Sequence, residues 1–136
     1  MWSLITSDYW WVCAIAVRPI QLLYLMEKAV LQIKSDHVLI MGDFNFPEIS
    51  DAEETVSASA NDPSSLFFNK TQELCLIQHV TEVTRVRQHQ APSTLDYVFT
   101  DEENLIDSIA YEPPLAKSCI WMWLYLDGTC CLLYKM

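Results

Sequence analysis

Two short stretches of this chain carry side chains that can do chemistry. The first is residues 37–47, His-Val-Leu-Ile-Met-Gly-Asp-Phe-Asn-Phe-Pro. Its Asp43 is a carboxylate, able to accept a proton or a hydrogen bond, and Asn45, two residues on, is a carboxamide able to donate one. The second is residues 95–100, Leu-Asp-Tyr-Val-Phe-Thr, where Asp96 stands among apolar neighbours. A carboxylate in such company wants a partner, because an unpaired buried charge is costly. The spacing in the first stretch says how the pair would be presented. Residues 38–41 form a fully apolar run with two β-branched members, which suits a buried strand, and Gly42 lets the backbone turn or approach something closely. If strand geometry continues beyond it, Asp43 and Asn45 point to one face and Phe44 to the other, until Pro47 ends the ladder. A carboxylate and a carboxamide would then sit side by side at the mouth of a buried sheet. The plain alternative is that both are turn residues after a strand, a position both types favour.

The remaining chemical candidates have simpler explanations. Asp51, Glu53 and Glu54 fall in the acidic, small-residue stretch 48–61, which reads as a solvated surface loop directly after the Asp43/Asn45 pair. His79 is expected at a helix end, favourable beside the C-terminal dipole when protonated, and His89 lies in the loop 87–93. The five cysteines (Cys13, Cys75, Cys119, Cys130 and Cys131) are odd in number and show no C-x-x-C pair, so neither zinc spacing nor a disulfide framework can be read. Reduced thiols in an intracellular setting are expected.

The elements that would hold the site follow from periodicity. Residues 9–17 are rich in aromatic and β-branched types and read as a buried strand. Pro19 can occupy the first turn of a helix, and residues 20–34 place Leu22, Leu23, Met26, Val30 and Ile33 on one stripe, with Ser35 and Asp36 as the turn that follows. Strand, helix, strand in that order predicts a βαβ-like unit or a mixed sheet covered by helices. Asp62-Pro63 is a helix start, with Asp62 as N-cap. That helix is expected to reach about His79, burying Phe67, Leu74 and Ile77. Short strands are predicted over 80–85, 95–100 and 106–111, with a turn or the first turn of a short helix at 101–104, and the apolar residues 119–136 show no amphipathic pattern.

The totals set bounds. At 136 residues, 51% apolar and 19% charged, the chain is one folded domain rather than a disordered segment. Only Gly42 and Gly128 are glycines, so a glycine-rich phosphate cradle is excluded. The net charge of −10, with eight Lys and Arg scattered singly, disfavours autonomous binding to DNA or RNA, although a metal ion beside the acidic residues would offset part of it. Residues 1–17 lack a leading positive charge and are interrupted by Asp8, so a signal peptide is not expected, and residues 119–126 are too few to span a bilayer.

Taken in order, Met-Gly-Asp-Phe-Asn-Phe-Pro (41–47), Thr84-Arg85, Ser-Thr-Leu-Asp-Tyr-Val-Phe-Thr (93–100) and Pro-Pro-Leu-Ala-Lys-Ser (113–118) resemble the endonuclease/exonuclease/phosphatase superfamily, closest to the endonuclease domain of non-LTR retrotransposon polyproteins. The resemblance covers roughly residues 9–118. It implies an α/β fold, a partial two-sheet sandwich of the four-layer αββα type with helices packed outside, and Mg²⁺-assisted hydrolysis of a phosphodiester, with DNA as substrate. It further implies that Asp43 orients or activates the attacking water, that Asn45 holds a phosphate oxygen, and that Asp96 orients a histidine from a later Ser-Asp-His motif. A phosphate in transit gathers negative charge, which calls for donors and a cation, while the water calls for an acceptor.

Three departures temper this. The early strands carrying the family's metal-binding Glu and a further Asn have no counterpart in this sequence. Val17 stands where such nucleases usually have a phosphate-contacting Tyr. Ser118-Cys119-Ile120 stands where Ser-Asp-His is expected, and residues 119–136 read as a divergent apolar tail without a domain of its own. A reading-frame shift near Lys117 would account for so abrupt a change. The expectation is therefore a remnant of a metal-dependent endonuclease, inactive alone and without tightly bound Mg²⁺. The alternatives are a non-catalytic protein that self-associates through exposed sheet faces, with no membrane partner, and a domain whose missing half comes from another chain.

Overall fold

The computed structural model describes residues 2–5, 9–15, 19–32, 37–50, 55–86, 89–112, 121–126 and 129–133. In chain order the elements are β1 (Trp2–Ile5), β2 (Tyr9–Ile15), α1 (Pro19–Gln32), β3 (His37–Asp43), β4 (Ile49–Ser50), β5 (Thr55–Val56), α2 (Pro63–Glu73), β6 (Ile77–Gln78), β7 (Asp96–Thr100), a 3₁₀ turn (Glu103–Leu105), β8 (Ser108–Glu112), β9 (Trp121–Leu126) and β10 (Thr129–Leu133). Expectations placed on Val17, Ile33, Ser35, Asp36, Asp51, Glu53, Glu54, Lys117, Ser118 and Cys119 lie outside the described residues.

The main sheet has the order β1-β2-β3-β7-β6. β2 and β3 run parallel, joined by α1, which is the predicted strand–helix–strand unit; every other pairing in the sheet is antiparallel. Parallel neighbours require such a crossover, and a parallel strand covered on both faces reads as an unbroken apolar run. β3 fits that description. Val38 and Ile40 pack on one face against Leu22, Met26 and Ala29 of α1 and Phe67 of α2. Leu39 and Met41 pack on the other face against Val98 and against Leu124 and Leu126 of β9. β9 belongs to a second sheet of order β10-β9-β8. The fold is thus a mixed α/β sandwich: helices, a five-stranded sheet, then a three-stranded sheet.

The segment after residue 118 enters this sandwich through its alternation. Leu124 and Leu126 are buried and Tyr125 between them is exposed, the period-2 pattern of a strand with one wet face. β8 pairs with β9 along its whole length, from Ser108 opposite Tyr125 to Glu112 opposite Trp121.

α2 starts where expected and stops early. Asp62 Oδ1 accepts the Ser64 N–H at 2.9 Å and the Ser64 hydroxyl at 2.6 Å, and Pro63 opens the first turn. The Ser64 hydroxyl and N–H hold the Asp62 carboxyl below its ordinary range. The helix ends at Glu73, not near His79. Cys75 takes φ 52°, its N–H bonds to the Gln72 carbonyl, and the Leu76 N–H bonds to the Thr71 carbonyl. This is a Schellman stop, in which a left-handed residue usually filled by glycine turns the chain back and an apolar residue closes over the helix end. Here a cysteine takes the left-handed position, and burial of Leu76 (7% exposed) holds it there. His79 therefore follows β6 and is not a helix-end cation. The edge strand is β6, earlier than the predicted 80–85; beyond it the Gln78 side-chain amide clamps both backbone groups of Val80, and Arg85 forms an isolated bridge with Ser93.

Candidate functional site

Asp43 and Asp96 face each other across the β3–β7 pair. They are the last register partners of that ladder, after Met41 with Val98 and Gly42 with Tyr97. Both follow the parity of Met41 and Val98, so they lie on the face that meets the second sheet. Residues directly opposite in an antiparallel pair hold their Cβ atoms about 4.5–5.5 Å apart, and like charges there are destabilising. Asp96 is 3% exposed and Asp43 is half-buried.

Asn45 reaches the same end of the sheet by a different route from the one its spacing predicts. β3 stops at Asp43, and Asn45 takes φ 54°, so strand geometry does not carry the two side chains to a common face. Two buried phenylalanines flank it. Phe44 and Phe46 are both 7% exposed and stack on Phe67, at centroid distances of 5.1 and 4.8 Å. Phe44 also meets Tyr97 and Phe99 at 5.8 and 5.9 Å. Phe44 and Phe46 keep the parity of Val38 and Ile40 and join the same helix-side core, so both rings stay buried across the turn, while Asn45, a type that tolerates a left-handed backbone, is exposed beside Asp43.

Backbone bonds tie the two strand ends together. The Leu95 carbonyl accepts the Phe44 N–H at 2.8 Å and the Asn45 N–H at 3.3 Å. The Thr84 hydroxyl oxygen, 1% exposed, accepts the Leu95 N–H at 3.0 Å and the Asp96 N–H at 3.2 Å. In the sequence Thr84 stands out only as part of the Thr84-Arg85 pair in the family resemblance, and nothing local says that its hydroxyl pairs eleven residues onward.

A family model described as endonuclease-reverse transcriptase matches residues 12–118, a span that includes Asp43, Asn45, Thr84 and Asp96. The chain belongs to the endonuclease-reverse transcriptase family. It is an endonuclease-type domain of the kind found in retroelement proteins. Comparison with curated proteins and with solved structures found no match.

For this family the question is what the assembled residues can hold. Among the described residues no group of three or more His, Cys, Asp or Glu side chains is placed to hold a metal ion. His79 does not stand in for the histidine that Asp96 is expected to orient. Its Nε2 lies 2.6 Å from the Thr100 hydroxyl, and Thr100 is four residues along β7 from Asp96, about 13 Å at strand rise. The Thr100 hydroxyl donates to the Glu102 carbonyl at 2.6 Å, so His79 Nε2 is the donor to Thr100. Burial pushes the His79 pKa down, partly opposed by Glu103. A groove of about 830 Å³, bounded by Pro47, Phe67, Gln72 and Thr94 among others, opens on the helix side of the sheet, and none of Asp43, Asn45 or Asp96 lines it. No described helix is long and apolar enough to cross a membrane.

Proposed function

We propose that this chain is the remnant of a Mg²⁺-dependent DNA endonuclease, keeping one edge of the active site and unable to cleave DNA alone. The supporting observation is the register of Asp43 opposite Asp96 with Asn45 exposed beside them, an arrangement that suits phosphodiester chemistry. In this reading Asp43 serves the attacking water and Asn45 holds a phosphate oxygen. Asp96 lacks the imidazole it would orient, because Ser118-Cys119-Ile120 replaces the expected Ser-Asp-His. Mg²⁺ would supply charge neutralisation at the phosphate, and Asp43 and Asp96 are the carboxylates of this site that could help hold it. Loss of members of a catalytic unit costs several orders of magnitude in rate. The net charge of −10 adds repulsion from DNA.

The test is nicking of supercoiled and abasic-site DNA in Mg²⁺ by the purified chain, beside Asp43→Ala and Asn45→Ala. All three are expected to match the no-protein control. Cleavage by the parent chain that disappears in both variants would overturn the inactive reading. A second reading, a non-catalytic self-associating protein, is favoured by the outer face of α1, where Ile20, Tyr24 and Leu31 are 81%, 59% and 67% exposed. Gel filtration over a range of concentrations separates the two: a monomer throughout removes the second reading.

A further inference from the structure

We infer that Thr84 is a positioning residue for the Asp43, Asn45 and Asp96 cluster, acting through backbone rather than on a substrate; the inference rests on reading those three side chains as the site. β6 pairs with β7 only at Thr100 and Phe99, and the His79 N–H bond to the Val98 carbonyl extends that edge by one step. Beyond it, the Leu95 and Asp96 N–H groups are met by one side chain, the Thr84 hydroxyl. A hydroxyl oxygen has two lone pairs, so this one is filled as an acceptor. Through the Leu95 peptide, the same hydroxyl is one step from the Phe44 and Asn45 N–H groups. Thr84 is anchored in turn, since its own N–H and that of Arg85 both donate to the Ser93 carbonyl, at 3.2 and 3.0 Å. One buried oxygen thus reaches both strand ends that display the site: directly at Asp96, and through a single peptide unit at Asn45.

Threonine to valine removes that oxygen with little change of shape, and serine keeps it. The experiment is amide hydrogen exchange by NMR on the full chain and on Thr84→Val and Thr84→Ser. In Thr84→Val, exchange at Leu95, Asp96, Phe44 and Asn45 is expected to quicken by about tenfold or more, while Leu39 and Ile40 stay protected. Thr84→Ser is expected to restore all four amides. Quickening confined to Leu95 and Asp96 would overturn the inference, as would a uniform loss of protection that serine does not reverse. If Thr84→Val loses its cooperative melt, Thr84→Cys is read in its place against the same outcomes. Exchange is blind to cleavage, so this inference and the nuclease reading can each fail while the other stands.

Discussion

The two ends of the β3–β7 pair are built on opposite principles. At the end that begins β3, donors meet acceptors. His37 Nδ1 lies 3.5 Å from Glu102 Oε2, Asp101 Oδ1 accepts the Val38 N–H at 2.9 Å, and His79 donates to Thr100, which donates to the Glu102 carbonyl. At the other end, two carboxylates share a register position and an asparagine in a left-handed conformation faces solvent. One sheet, buried on both faces along its middle, finishes in a hydrogen-bonded polar cluster at one end and in a carboxylate pair beside an exposed asparagine at the other. Strain and like-charge pairing persist where packing over-determines them, and such places are where function is found.

The comparison can be broken most forcefully at Phe44. Phe44→Ala removes a ring that packs against Phe67, Tyr97 and Phe99, and is expected to cost about 3–5 kcal/mol in chemical denaturation. The open end would then be shown to stand on aromatic burial; a loss below about 1 kcal/mol would mean that Asn45 is held by something else.

Next in size is a matched pair of substitutions, one at each end. Thr100→Val leaves the His79 donor and the Glu102 carbonyl without their partner, and should lower stability by about 1–3 kcal/mol. Asp43→Asn relieves the like-charge register and should be neutral or stabilising, by up to about 1 kcal/mol. Thermal melts of the two variants decide between the ends. If Asp43→Asn is the more damaging, the contrast drawn here is wrong.

The smallest effect is a pH dependence at the closed end. The folded His79 pKa lies below its ordinary 6.5, so the unfolded chain takes up a proton first as pH falls. Stability should therefore be insensitive to His79 above pH 6.5, decline between 6.5 and the lowered folded value, and level off below it. Asp62, whose carboxyl is held down by Ser64, loses its contribution only in a separate window, as pH falls below the ordinary 3.8. Urea midpoints against pH check this, and His79→Gln should flatten the upper window while leaving the lower one.

Local chemistry made much of the fold legible. Pro19 and the Asp62-Pro63 pair mark helix starts because capping and a preset φ act within a turn of the residue concerned. The apolar run of β3 reads as a strand covered on both faces, and it is one. The Asp43 and Asn45 pair was visible as chemistry, and the family match spans it. What escaped was each feature whose cause is distant. The Schellman stop at Cys75 has no glycine to announce it and depends on burial of Leu76. The left-handed turn at Asn45 lies between two rings that pack on Phe67, which arrives from α2. Thr84 acquires a role only when β7 is beside it.

Sequence by itself determined which residue types are present for chemistry, where helices begin, and which runs must be buried, since these follow from side-chain character and short-range geometry. Only the tertiary structure decided that Asp43 and Asp96 stand opposite one another, fifty-three residues apart in the chain, because strand register is a contact between distant segments. It also decided that β9 joins the second sheet through Leu124 and Leu126, and that Asn45 turns outward while two phenylalanines turn in. In each case the apolar surface removed from water outweighs the local preference, and that surface exists only once the layers have met.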